Sequence, residues 1–237
     1  MRKLGIIGGT SWNSTELYYR AINEGIARRL GGLHSARLMI ESIDLAPYAA
    51  AQRAGQRARA EAHIVKAGEA LKAGGADAIL IASNTSNRFA PAVAEATGLE
   101  MLGIAPPTIA RLKADERQRV ALLGTRFTMT HDEARTPYLE AGLDLMDLQT
   151  DWLDEIDRII FEELAVGVVK RDSQRALKSI ITELDKQKAD AVILGCTELV
   201  LAVDARANVL PVYDTTAIHA ASAVDWLVGG EAATEAA

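Results

Sequence analysis

Short apolar runs that end in glycine or a small polar residue alternate along this chain with longer stretches in which apolar residues recur every three or four positions. The first pattern suits strands buried on both faces and the second suits helices packed on one face, so the alternation predicts βα units around parallel sheets. Strands are predicted at Lys3–Ile7, Ala36–Ile43, Ala78–Ala82, Glu100–Ile104, Val120–Leu123, Leu145–Leu148, Ala191–Leu194 and Val209–Val212. Helices are predicted at Thr15–Leu30, Ala49–Ala73, Ala90–Ala96, Thr108–Lys113, Thr128–Ala141, Leu153–Val168, Asp172–Lys188 and Thr216–Val228, with the Ala/Glu-rich tail Gly229–Ala237 expected to fray.

The pattern repeats. Asp77-Ala78-Ile79-Leu80-Ile81-Ala82-Ser83 matches Asp190-Ala191-Val192-Ile193-Leu194-Gly195-Cys196, and Gly5-Ile6-Ile7-Gly8-Gly9-Thr10 resembles Val120-Ala121-Leu122-Leu123-Gly124-Thr125 at nearly the same offset. Two matches at nearly one offset predict two similar α/β halves, each with an opening β-Gly-Thr turn and a later strand ending in Ser or Cys. Ligands of open parallel sheets bind beyond the carboxyl ends of the strands, so all four turns are expected to face one cleft if the halves pack about a pseudo-two-fold axis.

Composition narrows the partner class. The 237 residues carry a net charge of −6, which argues against a nucleic-acid surface and for a small substrate. No apolar run approaches the roughly 20 residues that span a bilayer, and Met1-Arg2-Lys3 leads into a strand, so no membrane partner and a cytoplasmic location are expected. A single cysteine excludes an internal disulfide, and 4 scattered histidines give a metal cluster little to build on.

Chemistry concentrates at the strand ends. Gly8-Gly9-Thr10-Ser11-Trp12 sits between a strand and a helix, where backbone N–H groups and the Thr10 and Ser11 hydroxyls can cradle a carboxylate or phosphate; a plain connector whose hydroxyls cap the helix is the alternative. It lacks the glycines of a nucleotide loop. Cys196 is either a small inert core residue or, at a helix start, a thiol with a lowered pKa, and its equivalence to Ser83 favours function. His131 and His219 are the other imidazoles capable of chemistry, and each reads more readily as structural or solvated.

Gly8-Gly9-Thr10-Ser11-Trp12-Asn13-Ser14-Thr15, Leu123-Gly124-Thr125-Arg126-Phe127-Thr128-Met129, Glu155-Ile156-Asp157-Arg158-Ile159-Ile160, Glu162-Glu163-Leu164, Leu194-Gly195-Cys196-Thr197-Glu198-Leu199 and Pro211-Val212-Tyr213-Asp214-Thr215-Thr216 together resemble the aspartate/glutamate racemase family over nearly the whole chain. The resemblance implies two α/β domains with parallel sheets, an active site between them, no pyridoxal phosphate, no metal, and commonly a homodimer. Residues 1–100 with 209–237 would form the N-terminal domain and residues 101–208 the second. The implied reaction is racemisation of aspartate- or glutamate-like substrates by 1,1-proton transfer, in which one group removes the α-proton and an opposite group delivers one to the other face.

The roles implied are Cys196 as the acid/base thiol and Ser83 as the proton donor or relay opposite it. Asn84, Thr85, Thr125 and Thr197 would hold the α-carboxylate, with Thr10, Ser11 and Thr128 as further binders and Glu198 orienting an ammonium group or tuning the thiol. The chain departs from the family at Ser83-Asn84-Thr85-Ser86-Asn87, where the resemblance implies Cys-Asn-Thr-x-His. A serine hydroxyl is a far weaker acid than a thiol of pKa about 8.5, so slow or direction-biased turnover is expected. Gln174 replaces the arginine of a Ser-Arg pair, and Val168 stands where a lysine reading acidic side chains is implied. Arg53, Arg57 and Arg59 are candidate cations for a side-chain carboxylate, though three basic residues on a helix more often form a solvated face. Two other readings compete: a single-thiol decarboxylase or isomerase of a small dicarboxylate, and a non-catalytic amino-acid-binding homologue.

Overall fold

The computed structural model describes residues 1–229; the expected fraying of the tail beyond Gly229 lies outside the described residues. The chain divides into two compact units, Met1–Gly103 with the stretch that starts at His219, and Ile104–Ile218.

The first unit holds β1 (Leu4–Gly8), α1 (Trp12–Leu30), β2 (Leu38–Ser42), α2 (Leu45–Arg53), α3 (Arg57–Ala73), β3 (Ala78–Ile81), a 3₁₀ turn at Thr85–Phe89, α4 (Ala90–Thr97) and β4 (Glu100–Leu102). Its strands are parallel in the order β2-β1-β3-β4. Strand periodicity sorts the core. Leu4, Ile6, Ala78 and Leu80 pack with Tyr18, Ile22 and Ile26 of α1, while Ile7, Ile79 and Ile81 pack with Ile64, Leu71 and Val93 on the other face.

The second unit holds α5 (Ala105–Ala114), β5 (Arg119–Leu123), α6 (Arg126–Thr130), α7 (Asp132–Glu140), β6 (Asp144–Leu145), α8 (Thr150–Glu162), α9 (Arg171–Lys186), β7 (Ala191–Leu194) and β8 (Val212–Asp214). Its sheet is also parallel, in the order β6-β5-β7-β8. Ala121, Leu123, Val192 and Leu194 face Ile156, Ile159, Leu177 and Ile181 of α8 and α9, and Val120, Leu122, Ala191 and Ile193 face Leu112 and Tyr138. The last helix, α10 (Thr215–Val228), leaves β8 and carries Ala220, Ala223, Val224 and Leu227 into the core of the first unit.

The sequence repeat is a structural one. β1 and β5 occupy the same place in their sheets, as do β3 and β7. Asp77 accepts the Lys3 amide at 2.7 Å just before β1, and Asp190 accepts the Gln118 amide at 3.0 Å just before β5 and the Arg119 amide at 2.7 Å at its first residue, which explains why an aspartate opens both repeated segments.

Several elements differ from the sequence reading: the strand expected at Leu145–Leu148 is Asp144–Leu145, and the helix expected at Leu153–Val168 runs from Thr150 to Glu162 and is followed by a 3₁₀ turn at Leu164–Val166. Ala49–Ala73 is two helices, because the chain turns at Gly55 with φ +67°. Thr128–Ala141 is broken at His131, which is extended with ψ 137°. Val209–Val212 shifts to Val212–Asp214, since pairing with β7 begins only where the Pro211 carbonyl accepts the Val192 amide. That strand lies in the second unit, so the chain re-enters the first at His219. Among the described residues no helix is long and apolar enough to cross a membrane.

Candidate active site

In an all-parallel sheet the carboxyl ends of all strands share one edge. The turns after β1 and β3 therefore lie side by side in the first unit, and those after β5 and β7 in the second.

In the first unit, β1 ends at Gly8 and the chain reverses at Gly9. Gly9 has φ +82°, and a Cβ there would stand 2.1 Å from the Ile43 carbonyl oxygen, so only glycine allows this tight turn. Ser11 caps α1 by accepting the Ser14 amide, and Thr15 Oγ1 accepts the Gly9 amide at 2.9 Å. Thr10 Oγ1 is buried with no hydrogen-bond partner among the described residues. Of the two hydroxyls singled out in this turn, Ser11 is engaged as a cap, and Thr10 is not.

Beyond β3, Ser83 Oγ accepts the Ser86 amide at 3.2 Å. Asn87, where the resemblance implied a histidine, donates its side-chain amide to the carbonyls of Ser83 at 2.6 Å and Ile81 at 3.1 Å. It braces the turn. Ser86 Oγ in turn meets Tyr48 OH at 2.7 Å, and Gln52 donates to the same phenol at 3.0 Å. Asn84 and Thr85 sit half-buried on this braced turn, next to Ser83. Arg53, Arg57 and Arg59 are exposed around the α2–α3 junction; Arg57 and Arg88 each lie over the Phe89 ring, at 5.6 and 4.7 Å.

In the second unit, Thr125 caps α6, and its Oγ1 lies 3.2 Å from Thr128 Oγ1. Thr128 is buried against Gly195, where an added Cβ would meet Thr128 Cγ2 at 2.8 Å and Leu122 Cδ1 at 2.9 Å. Thr128 is thus a packing wedge between two turns. The Arg126 amide donates to Asp157 at 2.6 Å and its guanidinium pairs with Asp154, so α8 holds the turn from below.

Cys196 follows Gly195 at the end of β7 and is buried, 7% exposed. Its thiol donates to Glu198 Oε2 at 3.1 Å, and Thr197 Oγ1 donates to the same oxygen at 2.6 Å. The lowered thiol pKa expected of a helix start is not what the structure shows. Burial pushes the Cys196 thiol well up, the negative charge of Glu198 pushes it further, and the amides of Glu198 and Leu199 offset this only in part. The physical reason is local: only a short 3₁₀ turn, Leu199–Leu201, follows the cysteine, and a carboxylate stands beside it. At rest the pair is a thiol against a carboxylate. Ionising the thiol alone would place two anions about 3 Å apart, which is why the contact with Glu198 holds Cys196 in its neutral form.

Several residues with no role in the sequence reading complete the surroundings. Thr215 Oγ1 donates to the Leu194 carbonyl at 2.7 Å, tying the end of β7 to the start of α10. Glu163, fully buried, accepts Ser173 Oγ at 2.5 Å and Arg158 at 2.7 Å, with Lys170 at 3.3 Å; these donors pull its pKa down to about 2. A charged glutamate beside an apolar leucine in Glu162-Glu163-Leu164 is the only sequence signal of that network. His219 is fully buried, with Nδ1 2.9 Å from Tyr18 OH and Nε2 2.8 Å from the Leu102 carbonyl oxygen; burial lowers its pKa to about 4, so it is a neutral structural link. His131 stacks on Phe127 at 4.4 Å. Among the described residues no group of three or more His, Cys, Asp or Glu side chains could hold a metal ion.

The profile of the Asp/Glu/Hydantoin racemase family matches residues 7–223. The chain belongs to that family. Among solved structures, this racemase-family chain is 37% identical to a candidate Asp/Glu racemase from Yersinia pestis, with a TM-score of 0.91 over 96% of this chain and 100% of that one. It is 30% identical to an aspartate racemase homologue from Pyrococcus horikoshii, with a TM-score of 0.83 over 96% and 99% of the two chains. An aspartate racemase from Picrophilus torridus shares the fold at 19% identity, with a TM-score of 0.73 over 97% and 95%. Membership of the family supports an isomerase of small amino acids, and the two units, each with a four-stranded parallel sheet, match its architecture.

Proposed function

We propose that this protein is an amino-acid racemase that moves the α-proton with Cys196 and Ser83 and without a cofactor. The observation that carries the reading is the Cys196–Glu198 contact at the end of β7, a thiol with a built-in proton acceptor in a member of a racemase family.

The chemistry runs in balanced steps. Cys196 passes its thiol proton to Glu198; the thiolate takes the proton from the substrate Cα, and the electron pair of that bond moves into the carboxylate as an enediolate. Ser83 then delivers its hydroxyl proton to the opposite face of Cα, and water returns a proton to Ser83 while Glu198 loses its own. Ser83 suits donation, because its Oγ already accepts the Ser86 amide and Asn87 fixes its carbonyl, which leaves its O–H to point elsewhere. A serine is a poor base, so turnover from the enantiomer whose proton faces Ser83 is expected to be the slower direction. The hydroxyl of Thr10, buried without a partner among the described residues, and the side chains of Asn84, Thr85, Thr125 and Thr197 are the proposed donors to the α-carboxylate. The same reading takes the enzyme to be a cytoplasmic homodimer.

The test is a panel of L- and D-amino acids incubated with the purified protein and followed by loss of optical rotation. Decay of rotation with at least one amino acid, from either enantiomer, supports the proposal; no decay with any of them contradicts it.

A further inference from the structure

Tyr48 of α2 is a buried phenol to which the chemistry above gives no part, yet it reaches the turn that carries Ser83. The phenol and the buried Ser86 Oγ share a hydrogen bond of 2.7 Å, and Gln52, one turn further along α2, donates to the phenol at 3.0 Å. The Ser86 amide donates to Ser83 Oγ at 3.2 Å. Two bonds that meet in Ser86 therefore join α2 to the Ser83 side chain.

This turn depends on side chains to hold it. Thr85–Phe89 is a five-residue 3₁₀ segment, a form with poorer hydrogen-bond geometry than an α-helix, and Asn84 at its start makes no side-chain cap bond. Asn87 fixes the Ser83 carbonyl but not its hydroxyl. Among the described residues the Ser86 amide is the donor to Ser83 Oγ, so a swing of Ser83 about its Cα–Cβ bond would break that contact, and a tilt of Ser86 would carry Ser83 Oγ with it. The Tyr48 bond resists the tilt. Burial raises the phenol pKa, so Tyr48 acts as a neutral hydrogen-bond partner rather than as an acid or base of the reaction.

We infer that Tyr48, acting through Ser86, is a positioning residue that holds the Ser83 hydroxyl in its proton-donating orientation and so sets the rate of inversion. The inference rests on the racemase reading, in which Ser83 serves one face of Cα and Cys196 the other.

The experiment compares the native protein with Tyr48→Phe, Ser86→Ala and the double variant, and adds Tyr48→Phe in a Ser83→Ala background. Inversion is read by chiral chromatography, α-deuterium exchange by proton NMR from the enantiomer whose proton faces Cys196, and folding by circular dichroism. Tyr48→Phe is expected to lower kcat for inversion about tenfold with KM unchanged, while exchange falls by less than about twofold. Ser86→Ala should reproduce this, the double variant should lose no more than either, and Tyr48→Phe should cost nothing further once Ser83 is alanine. Equal loss of exchange and inversion, native inversion in both single variants, or the same tenfold loss in the Ser83→Ala background would overturn the inference. A readout that needs no activity is hydrogen exchange of the Ser86 amide, expected to lose protection about tenfold in Tyr48→Phe; unchanged protection would overturn the inference even in an active racemase. Lost protection in a protein that neither exchanges nor inverts any amino acid would defeat the racemase reading, and this role for Tyr48 with it, while leaving the coupling of α2 to the turn intact.

Discussion

Cys196 donates its thiol hydrogen to Glu198 at 3.1 Å, so the only cysteine of the chain rests as a neutral thiol against a carboxylate two residues away. A carboxylate in this position raises the thiol pKa yet supplies the acceptor that a thiolate needs. The two effects of removing it should therefore separate.

Glu198→Gln removes the negative charge while keeping the shape. Alkylation of Cys196 at neutral pH is expected to quicken, because the thiol pKa falls, while racemisation is expected to drop by about a hundredfold or more as the proton acceptor is lost. Parallel measurement of both rates checks this. An increase in both would mean that Glu198 only suppresses the thiolate.

Ser83→Ala should split the reaction. One face of the substrate is still served by Cys196, so α-deuterium exchange is expected to persist while inversion falls by about a hundredfold; Ser83→Cys should raise inversion above the native rate. Chiral chromatography alongside proton NMR separates exchange from inversion, and equal loss of both in Ser83→Ala would refute the division of labour.

His219 makes the fold sensitive to acid. Its imidazole is neutral in the folded chain down to about pH 4, against an ordinary value of 6.5, so its contribution to stability is complete above pH 6.5 and is lost as pH falls to about 4. The loss amounts to about 3 kcal/mol from the size of that shift. Urea unfolding between pH 7 and 4 should show it, and His219→Gln, which can still reach Tyr18 and the Leu102 carbonyl, should lower stability at pH 7 but flatten the slope.

Gly195→Ala would drive a methyl group to 2.8 Å from Thr128 Cγ2 and 2.9 Å from Leu122 Cδ1. Overpacking of this kind costs about 1–3 kcal/mol, and the turn carrying Cys196 should shift with it. Thermal unfolding with the assay is expected to show loss of stability and activity together, and the double variant Gly195→Ala/Thr128→Ser should recover part of both.

Much of the fold was legible because a strand buried on both faces must be apolar throughout: β1, β3, β5 and β7 fall where such runs predict them, whereas the runs Leu145–Leu148 and Val209–Val212 overlap their strands at one residue each. The repeat was legible for a physical reason as well: Asp77 and Asp190 do the same work of capping the neighbouring strand. The helix breaks at Gly55 and His131 were not, since the apolar period continues across both and the backbone alone departs. At the site, position was readable and electrostatics was not. Cys196 and Ser83 lie at strand ends as their repeat predicts, but the direction of the thiol shift is set first by how deeply the thiol is buried and then by where the Glu198 side chain folds back, which neighbouring residues in sequence do not specify. Asn87 shows the same limit. Its identity suggested only a lost imidazole, whereas its two bonds to the Ser83 and Ile81 carbonyls give it a bracing function.

The central claim is that Cys196 carries the α-proton. Its most direct test is the rate of α-hydrogen exchange of a racemised amino acid in D₂O, measured by proton NMR for the native protein and for Cys196→Ala, with circular dichroism to show that both are folded. The account predicts exchange by the native protein and a loss of about a thousandfold in the folded variant; a folded Cys196→Ala protein that exchanges at the native rate would contradict it.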